Sequence, residues 1–184
     1  IHEISSAIVY EDKDIKIEAT QMDHSVPTLA YSIIIKNQVR IDKSKIKKLK
    51  LPNSPLIGDL QRGKDIVFNG KKIKSKDVTY TQEGKKLTII LDTAMNQNAV
   101  DLAKDSDLLI CESTYAENES EQAREYKHLT TTEAATIAKK AKAKKLALVH
   151  ISEKHGQRHI QLLKEAKKVF KNTIIPDDLN ILKV

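Results

Sequence analysis

A layered α/β fold, with sheets inside and helices outside, is the architecture this sequence predicts, on three observations. The opening residues run as short strand-like segments joined by charged turns. The second half alternates brief apolar runs with amphipathic stretches, the pattern of strand–helix–strand–helix units. No internal repeat or low-complexity linker interrupts either half, and 184 residues suffice for one sizeable core or two small ones.

Residues 7–10, 15–20 and 29–35 read as antiparallel strands. A basic excursion follows over 36–50, where Lys36, Arg40, Lys43, Lys45, Lys47, Lys48 and Lys50 stand against one acid, Asp42. It includes a short amphipathic helix, 43–50, too polar to bury much, which Leu51-Pro52-Asn53-Ser54-Pro55 and Gly58 break. Runs 65–68 and 71–73 flank Asn69-Gly70, the signal of a type I′ hairpin. Residues 87–91 form a buried strand, Asn96 caps a helix over 96–104, and 107–111 is the next buried strand. An acid-started helix over 117–126 precedes another over 130–142. There Thr130 and Glu133 supply a capping box, and Ala134, Ala135, Ile137, Ala138 and Ala141 an apolar face. A strand at 146–150, a helix at 157–170 and closing strands at 173–175 and 180–184 complete the order.

Composition narrows the class. One cysteine, Cys111, excludes an internal disulfide framework and suits a reducing, cytoplasmic setting. Without a CxxC partner it reads as buried and inert. No apolar stretch approaches the length of a bilayer span, and Ile1-His2-Glu3 opens no signal pattern, so no membrane association is expected. The chain does not begin with Met, and the true N-terminus is expected elsewhere. A formal charge of +7 with 32 Lys+Arg points to an anionic partner, nucleic acid foremost. Lys-rich surfaces also arise in thermophilic or AT-rich organisms, and charge alone does not separate the two. Aromatic residues, at 4%, argue against a base-stacking module.

Three apolar runs end on residue types that bind metals: 14–21 before Asp23-His24, 86–91 before Asp92-Thr93, and 145–149 before His150. Imidazole nitrogen and carboxylate oxygen suit Zn²⁺, and one Asp can bridge two ions. If these ends converge they form part of a hydrolytic metal centre. It is only part, because two ions take about six to eight protein ligands. Plainer readings stand beside each. His24 before Ser-Val-Pro suits a turn, and Asp92-Thr93 is explained more simply as a strand-to-helix turn with local capping. His150 also suits a satisfied core histidine, and His128 the flank of a helix. His155 and His159, four apart, read as surface residues, and His2 has no informative context.

Five fragments in order resemble the landmarks of ribonuclease Z, the tRNA 3′-processing endonuclease family of the metallo-β-lactamase superfamily. They are Asp23-His24-Ser25-Val26-Pro27, Asp92-Thr93, Leu109-Ile110-Cys111-Glu112-Ser113-Thr114, Lys127-His128-Leu129-Thr130 with Glu133, and Leu148-Val149-His150-Ile151-Ser152. Each is short, but five in sequence at compatible spacing are specific. Residues 169–173 and 177–180 are also similar to that family's ending. The likeness covers nearly the whole chain but only the later part of the family's domain. Its first metal motif, His-x-His-x-Asp-His, has no counterpart between Ile1 and Val184. Departures are Leu91 for a usual Gly, Ala94-Met95 for Arg-Pro, Cys111 for a His, Leu129 for a Ser, and Ser54-Pro55 with Gly58 where a Gly-Pro pair is expected.

The resemblance implies an αββα metallo-β-lactamase-like sandwich of which 1–184 is the later part, with an inserted basic arm at 36–60. That arm would protrude and grip tRNA phosphates through Lys43, Lys45, Lys47, Lys48 and Lys50. The implied activity is a zinc-dependent endoribonuclease removing the 3′ trailer of precursor tRNA, by in-line attack of a metal-activated hydroxide. Asp92 would bridge two zinc ions, with His24 completing one and His150 the other. His128 would protonate the leaving oxygen, oriented and kept charged by Glu112. A homodimer, one subunit's arm serving the other's site, is also implied, with the missing N-terminal half in the same or another polypeptide. The 184-residue chain alone is expected to be inactive. Two other classes remain: a non-catalytic RNA-binding or interaction subunit of the same fold, and a related hydrolase of small anionic esters. The latter would have little use for the basic 36–50 segment.

Overall fold

Alternating burial along the strands and capped helices between them produce the following order in the computed structural model, which describes residues 6–156 and 159–184. Strands β1 (Ser6–Glu11), β2 (Ile15–Gln21) and β3 (Leu29–Ile35) lead into an inserted segment. The insertion holds β4 (Gln38–Ile41), α1 (Lys43–Lys48), α2 (Pro55–Gln61), β5 (Ile66–Phe68), β6 (Lys71–Ile73), α3 (Ser75–Val78) and β7 (Thr79–Gln82). The chain then continues with β8 (Lys85–Ile90), α4 (Gln97–Leu102), β9 (Leu108–Glu112), α5 (Ser120–Tyr126), α6 (Thr131–Lys140), β10 (Leu146–Val149), α7 (His159–Val169) and β11 (Thr173–Ile174). Two compact units result, one from 1–35 with 85–184 and one from 36–84. His2 and the expected helix start at Gln157 lie outside the described residues.

The larger unit is built on a seven-stranded sheet in the order β1-β2-β3-β8-β9-β10-β11. β1, β2, β3 and β8 pair antiparallel, whereas β8, β9, β10 and β11 run parallel. Period-2 alternation gives the sheet two different faces. One face presents Ala30, Ile90, Leu109, Cys111, Leu146 and Leu148 to Ala99, Ala134, Ile137, Ala138 and Ala166 of α4, α6 and α7, all of them buried. Small alanines on α6 let the helix approach the sheet closely. Hydroxyls on this face cluster: Ser32 and Ser106 donate to the Leu102 and Ala103 carbonyls, and Thr88, 2.6 Å from both, gives its single proton to one of them. That cluster fixes the end of α4 without leaving a buried donor unpaired.

The opposite face carries Ile17, Ala19, Tyr31, Ile33, Leu87, Ile89 and Ile110. It is apolar, yet Tyr10 on β1 is 50% and Ile35 at the end of β3 48% exposed. The larger unit thus contributes one sheet with helices packed on one face, half of a sandwich rather than both sheets.

The smaller unit has its own core of Ile46, Leu51, Leu60, Ile66, Ile73 and Val78, supported by Ile41, Leu56, Ile57 and Phe68. As its polarity predicts, α1 buries little, Ile46 alone among its residues, and the segment 36–60 lies within a longer folded unit reaching Gly84. Pro55, read as a breaker, instead starts α2, where a missing N–H costs nothing, and Gly58 is accommodated inside it. β4, α3 and β7 went unread: β4 and β7 are the two legs of the unit, paired Gln38 to Gln82 through Ile41 to Thr79. The Asn69-Gly70 hairpin forms with both residues at positive φ. Residues 180–184 form no strand; among the described residues the chain closes on β11, and those after it find no ladder partner.

Candidate active site

Sheet order explains why distant loops meet. In the parallel part, Ile90 aligns with Cys111, and Glu112 with Val149, so β8, β9 and β10 end at one rim. β3 runs opposite to β8, so the β2–β3 connection lies at that same rim. Asp92, Glu112 to Thr114, His150 and His24 therefore converge, as ligand-binding groups do at the carboxyl ends of parallel strands. Asp92 and His150 both sit at left-handed φ, 50° and 53°, where the chain turns sharply off its strand. His128 arrives from the α5–α6 link. There Lys127 closes α5 in the left-handed conformation, and Tyr115 pairs with the Leu129–Thr131 backbone.

Ligand atoms of Asp92, His128 and His150 lie within 4.8 Å of one another, the only such group among the described residues. His150 Nδ1 is 3.3 Å and His128 Nδ1 3.9 Å from Asp92 Oδ1. The His24 and His150 rings flank His128, with centroids 5.0 and 5.4 Å away. His24 is held through Nδ1, 3.0 Å from the Lys127 carbonyl, while Lys127 Nζ reaches Asp23 at 2.9 Å. One carboxylate oxygen and two imidazole nitrogens are a donor set that suits a divalent cation. The described residues offer too few donors at this point for two ions.

Behind this group lies Glu112, fully buried at the end of β9. Its Oε1 accepts the Thr93 N–H at 2.5 Å, and its Oε2 the Leu129 N–H at 3.2 Å and the Thr114 hydroxyl at 2.7 Å. His128 Nδ1 lies 3.0 and 3.1 Å from the two oxygens. Four donors around a carboxylate with no exposure leave it no other role than acceptor. Thr93 is the second buried post: its hydroxyl accepts from the Asp23 N–H and from Asn96, tying the His24 loop to the Asp92 loop.

Every residue read from sequence as a site candidate in the larger unit is thus at this rim: His24, Asp92, Glu112, His128 and His150. The tightest donor group includes His128, whereas His24 stands beside it. Lys43, Lys45, Lys47, Lys48 and Lys50 lie on α1 and its end in the smaller unit, all exposed. Burial, with Glu112 next to it, holds the Cys111 thiol well above its ordinary range, so the thiol is protonated and unreactive. His155, expected at the surface, is buried, its Nε2 3.3 Å from Glu119 of the turn that follows Tyr115. His159 is exposed. Sequence reasoning missed Lys127, Thr93 and Thr114 as holders of the site. Thr93 and Thr114 had a signal, each a hydroxyl two or three residues beyond a buried strand's end; Lys127 acts through its carbonyl and had none.

No protein-family profile matches the chain. Individual relatives do. Ribonuclease Z of Lactococcus lactis subsp. cremoris is 38% identical over 97% of this chain, and that of Enterococcus faecalis 34% over 96%. The chain spans 59% and 58% of those proteins' own lengths. Among solved structures, the short form of human tRNase Z superposes on 97% of this chain and 47% of its own, with a TM-score of 0.58 at 19% identity. A metallo-β-lactamase fold protein from Bacillus subtilis gives 0.58 at 20% identity, covering 91% of this chain and 49% of its own. The chain is thus similar in sequence to ribonuclease Z along nearly its whole length, and its backbone has the metallo-β-lactamase fold.

Proposed function

We propose that this chain carries the later part of the machinery of a zinc-dependent endoribonuclease that removes the 3′ trailer of precursor tRNA. The observation that carries this reading is the meeting of Asp92, His128 and His150, with His24 beside them and Glu112 behind, in a relative of ribonuclease Z. In it, Asp92, His24 and His150 would hold metal, whereas His128, although it lies within the three-donor group, is committed through Nδ1 to Glu112 and handles the proton. Bound zinc would make water acidic enough to attack a phosphodiester at neutral pH and would offset charge on the phosphate oxygens. His128, gripped at Nδ1 by Glu112, turns Nε2 toward the open side and gives its proton to the departing 3′ oxygen as the phosphorus–oxygen bond breaks. The tRNA is left with a 3′-hydroxyl and the trailer with the phosphate. Exposed Lys43, Lys45, Lys47, Lys48 and Lys50 supply counter-charge for the tRNA backbone.

The half-exposed apolar face of the large sheet supports a further part of the reading. Sequence matching the two-fifths of the relatives that this chain does not span would cover that face and bring the remaining metal ligands, completing the two-ion centre. The functional test therefore uses a polypeptide of the relatives' full length. There His128→Ala should lower trailer cleavage roughly 10²–10⁴-fold, the usual contribution of a positioned acid or base, with zinc content and tRNA affinity little changed. A variant that keeps its rate, or one that loses its zinc, removes His128 from proton transfer.

A further inference from the structure

We infer that Thr114 is a positioning residue whose single hydroxyl fixes the tautomer of His150 and couples that ligand to the His128–Glu112 pair. This rests on the ligand role given to His150 above. The argument is one of counting protons. Glu112, already receiving the Thr93 and Leu129 N–H groups, can only accept, so the Thr114 hydroxyl proton goes to its Oε2 at 2.7 Å. Thr114 Oγ1 then has lone pairs alone to offer to His150 Nδ1, 3.1 Å away. The shared contact is a hydrogen bond only if His150 carries its proton on Nδ1. The Nε2 lone pair is left free, as a metal ligand requires.

The other two imidazoles are held alike. His24 Nδ1 faces the Lys127 carbonyl, and His128 Nδ1 faces Glu112. Three different acceptors, one for each of three imidazoles on separate loops, thus engage Nδ1 and leave Nε2 facing away from them. Thr114 differs from the other two because it is also a donor. It closes a continuous path, His150–Thr114–Glu112–His128, from a candidate ligand to the candidate acid. Asp92 Oδ1, 3.3 Å from the same His150 nitrogen, is the one competing acceptor.

The test compares Thr114→Val, which keeps the shape and removes the hydroxyl, with Thr114→Ser, which keeps the hydroxyl. In the intact protein stripped of metal, the imidazole ¹⁵N shifts of His150 should report one Nδ1–H tautomer for wild type and Thr114→Ser, and a mixture for Thr114→Val. Titration with zinc should give Thr114→Val a 10–100-fold weaker affinity, the usual cost of losing a ligand's hydrogen-bond partner, with Thr114→Ser close to wild type. A pure Nδ1–H tautomer and wild-type zinc affinity in Thr114→Val would overturn the inference, showing that Asp92 suffices. His150→Ala separates this from the functional reading. Loss of zinc there with no effect of Thr114→Val refutes only the role of Thr114, whereas zinc retained by His150→Ala refutes the ligand role itself.

Discussion

Replacing Glu112 should show its importance to the fold before any chemistry is measured. In Glu112→Ala the N–H groups of Thr93 and Leu129, both on fully buried residues, lose their acceptor. The Thr114 hydroxyl and His128 can turn to solvent or to each other's neighbours; the two amides cannot. An orphaned buried donor costs about 1–3 kcal/mol, so the loss should be about 2–6 kcal/mol. Glu112→Gln is the sharper variant. Thr93 bonds to Oε1 and Leu129 to Oε2, and an amide has a single oxygen, so one N–H must face an NH₂ group. Its cost should be about half, roughly 1–3 kcal/mol. His128→Ala removes a partner but orphans no backbone donor and should cost less than either. Urea denaturation followed by far-UV circular dichroism, with chelator present so that metal binding does not contribute, reads all three. With a slope of about 2 kcal/mol/M, Glu112→Ala should move the midpoint down by roughly 1–3 M. If Glu112→Ala shifts it by less than about 0.5 M, or Gln and Ala cost the same, the carboxylate does not hold the two loops in this way.

Replacing Lys43, Lys45 and Lys47 together with Ala should weaken tRNA binding and flatten its log–log salt slope by roughly 2–3, for three lost phosphate contacts; unchanged affinity would make α1 an ordinary solvated surface. Asp107 gives a pH signature. Burial works to raise its pKa, but the Lys144 ammonium, the Lys86 N–H and Lys85 outweigh it and hold the carboxyl below its ordinary value. A folded-state pKa below the unfolded one stabilises at pH above the unfolded value, about 3.9, and that gain is lost as pH falls through the folded value. Asp107→Asn should therefore destabilise at pH 7 and match wild type in strong acid; a stability difference independent of pH would contradict the ion-pair assignment. Zinc analysis of the dialysed 184-residue chain should find no tightly held pair of ions, since its described donors form one three-ligand group; two retained ions per chain would show the ligand set to be misread.

Local chemistry was legible wherever near neighbours decide it. Asn69-Gly70 demanded positive φ at two successive residues and forms that turn. Asn96 accepts the Ala99 N–H, and the Thr130–Glu133 box closes both ways, because each cap needs only a side chain three residues from its target. Pro55 was misread because the same ring that ends one helix is well placed to begin another. Residues 180–184 have strand-like composition but pair with no strand, and pairing cannot be read from the segment alone.

The site residues divide along the same line. The sequence by itself determined which types stand after strands, an imidazole at 24 and 150 and a carboxylate at 92 and 112, and that an imidazole at 128 flanks a helix. Burial of the preceding apolar runs puts such groups at a sheet rim. Only the tertiary structure decided that these are one rim. The Lys127 carbonyl that holds His24 is 103 residues away, and the Thr114 hydroxyl beside His150 is 36 away. Those meetings depend on strand order, with β3 antiparallel and β9 and β10 parallel to β8. Order is set by how all the buried faces pack at once, so no single segment of the chain records it.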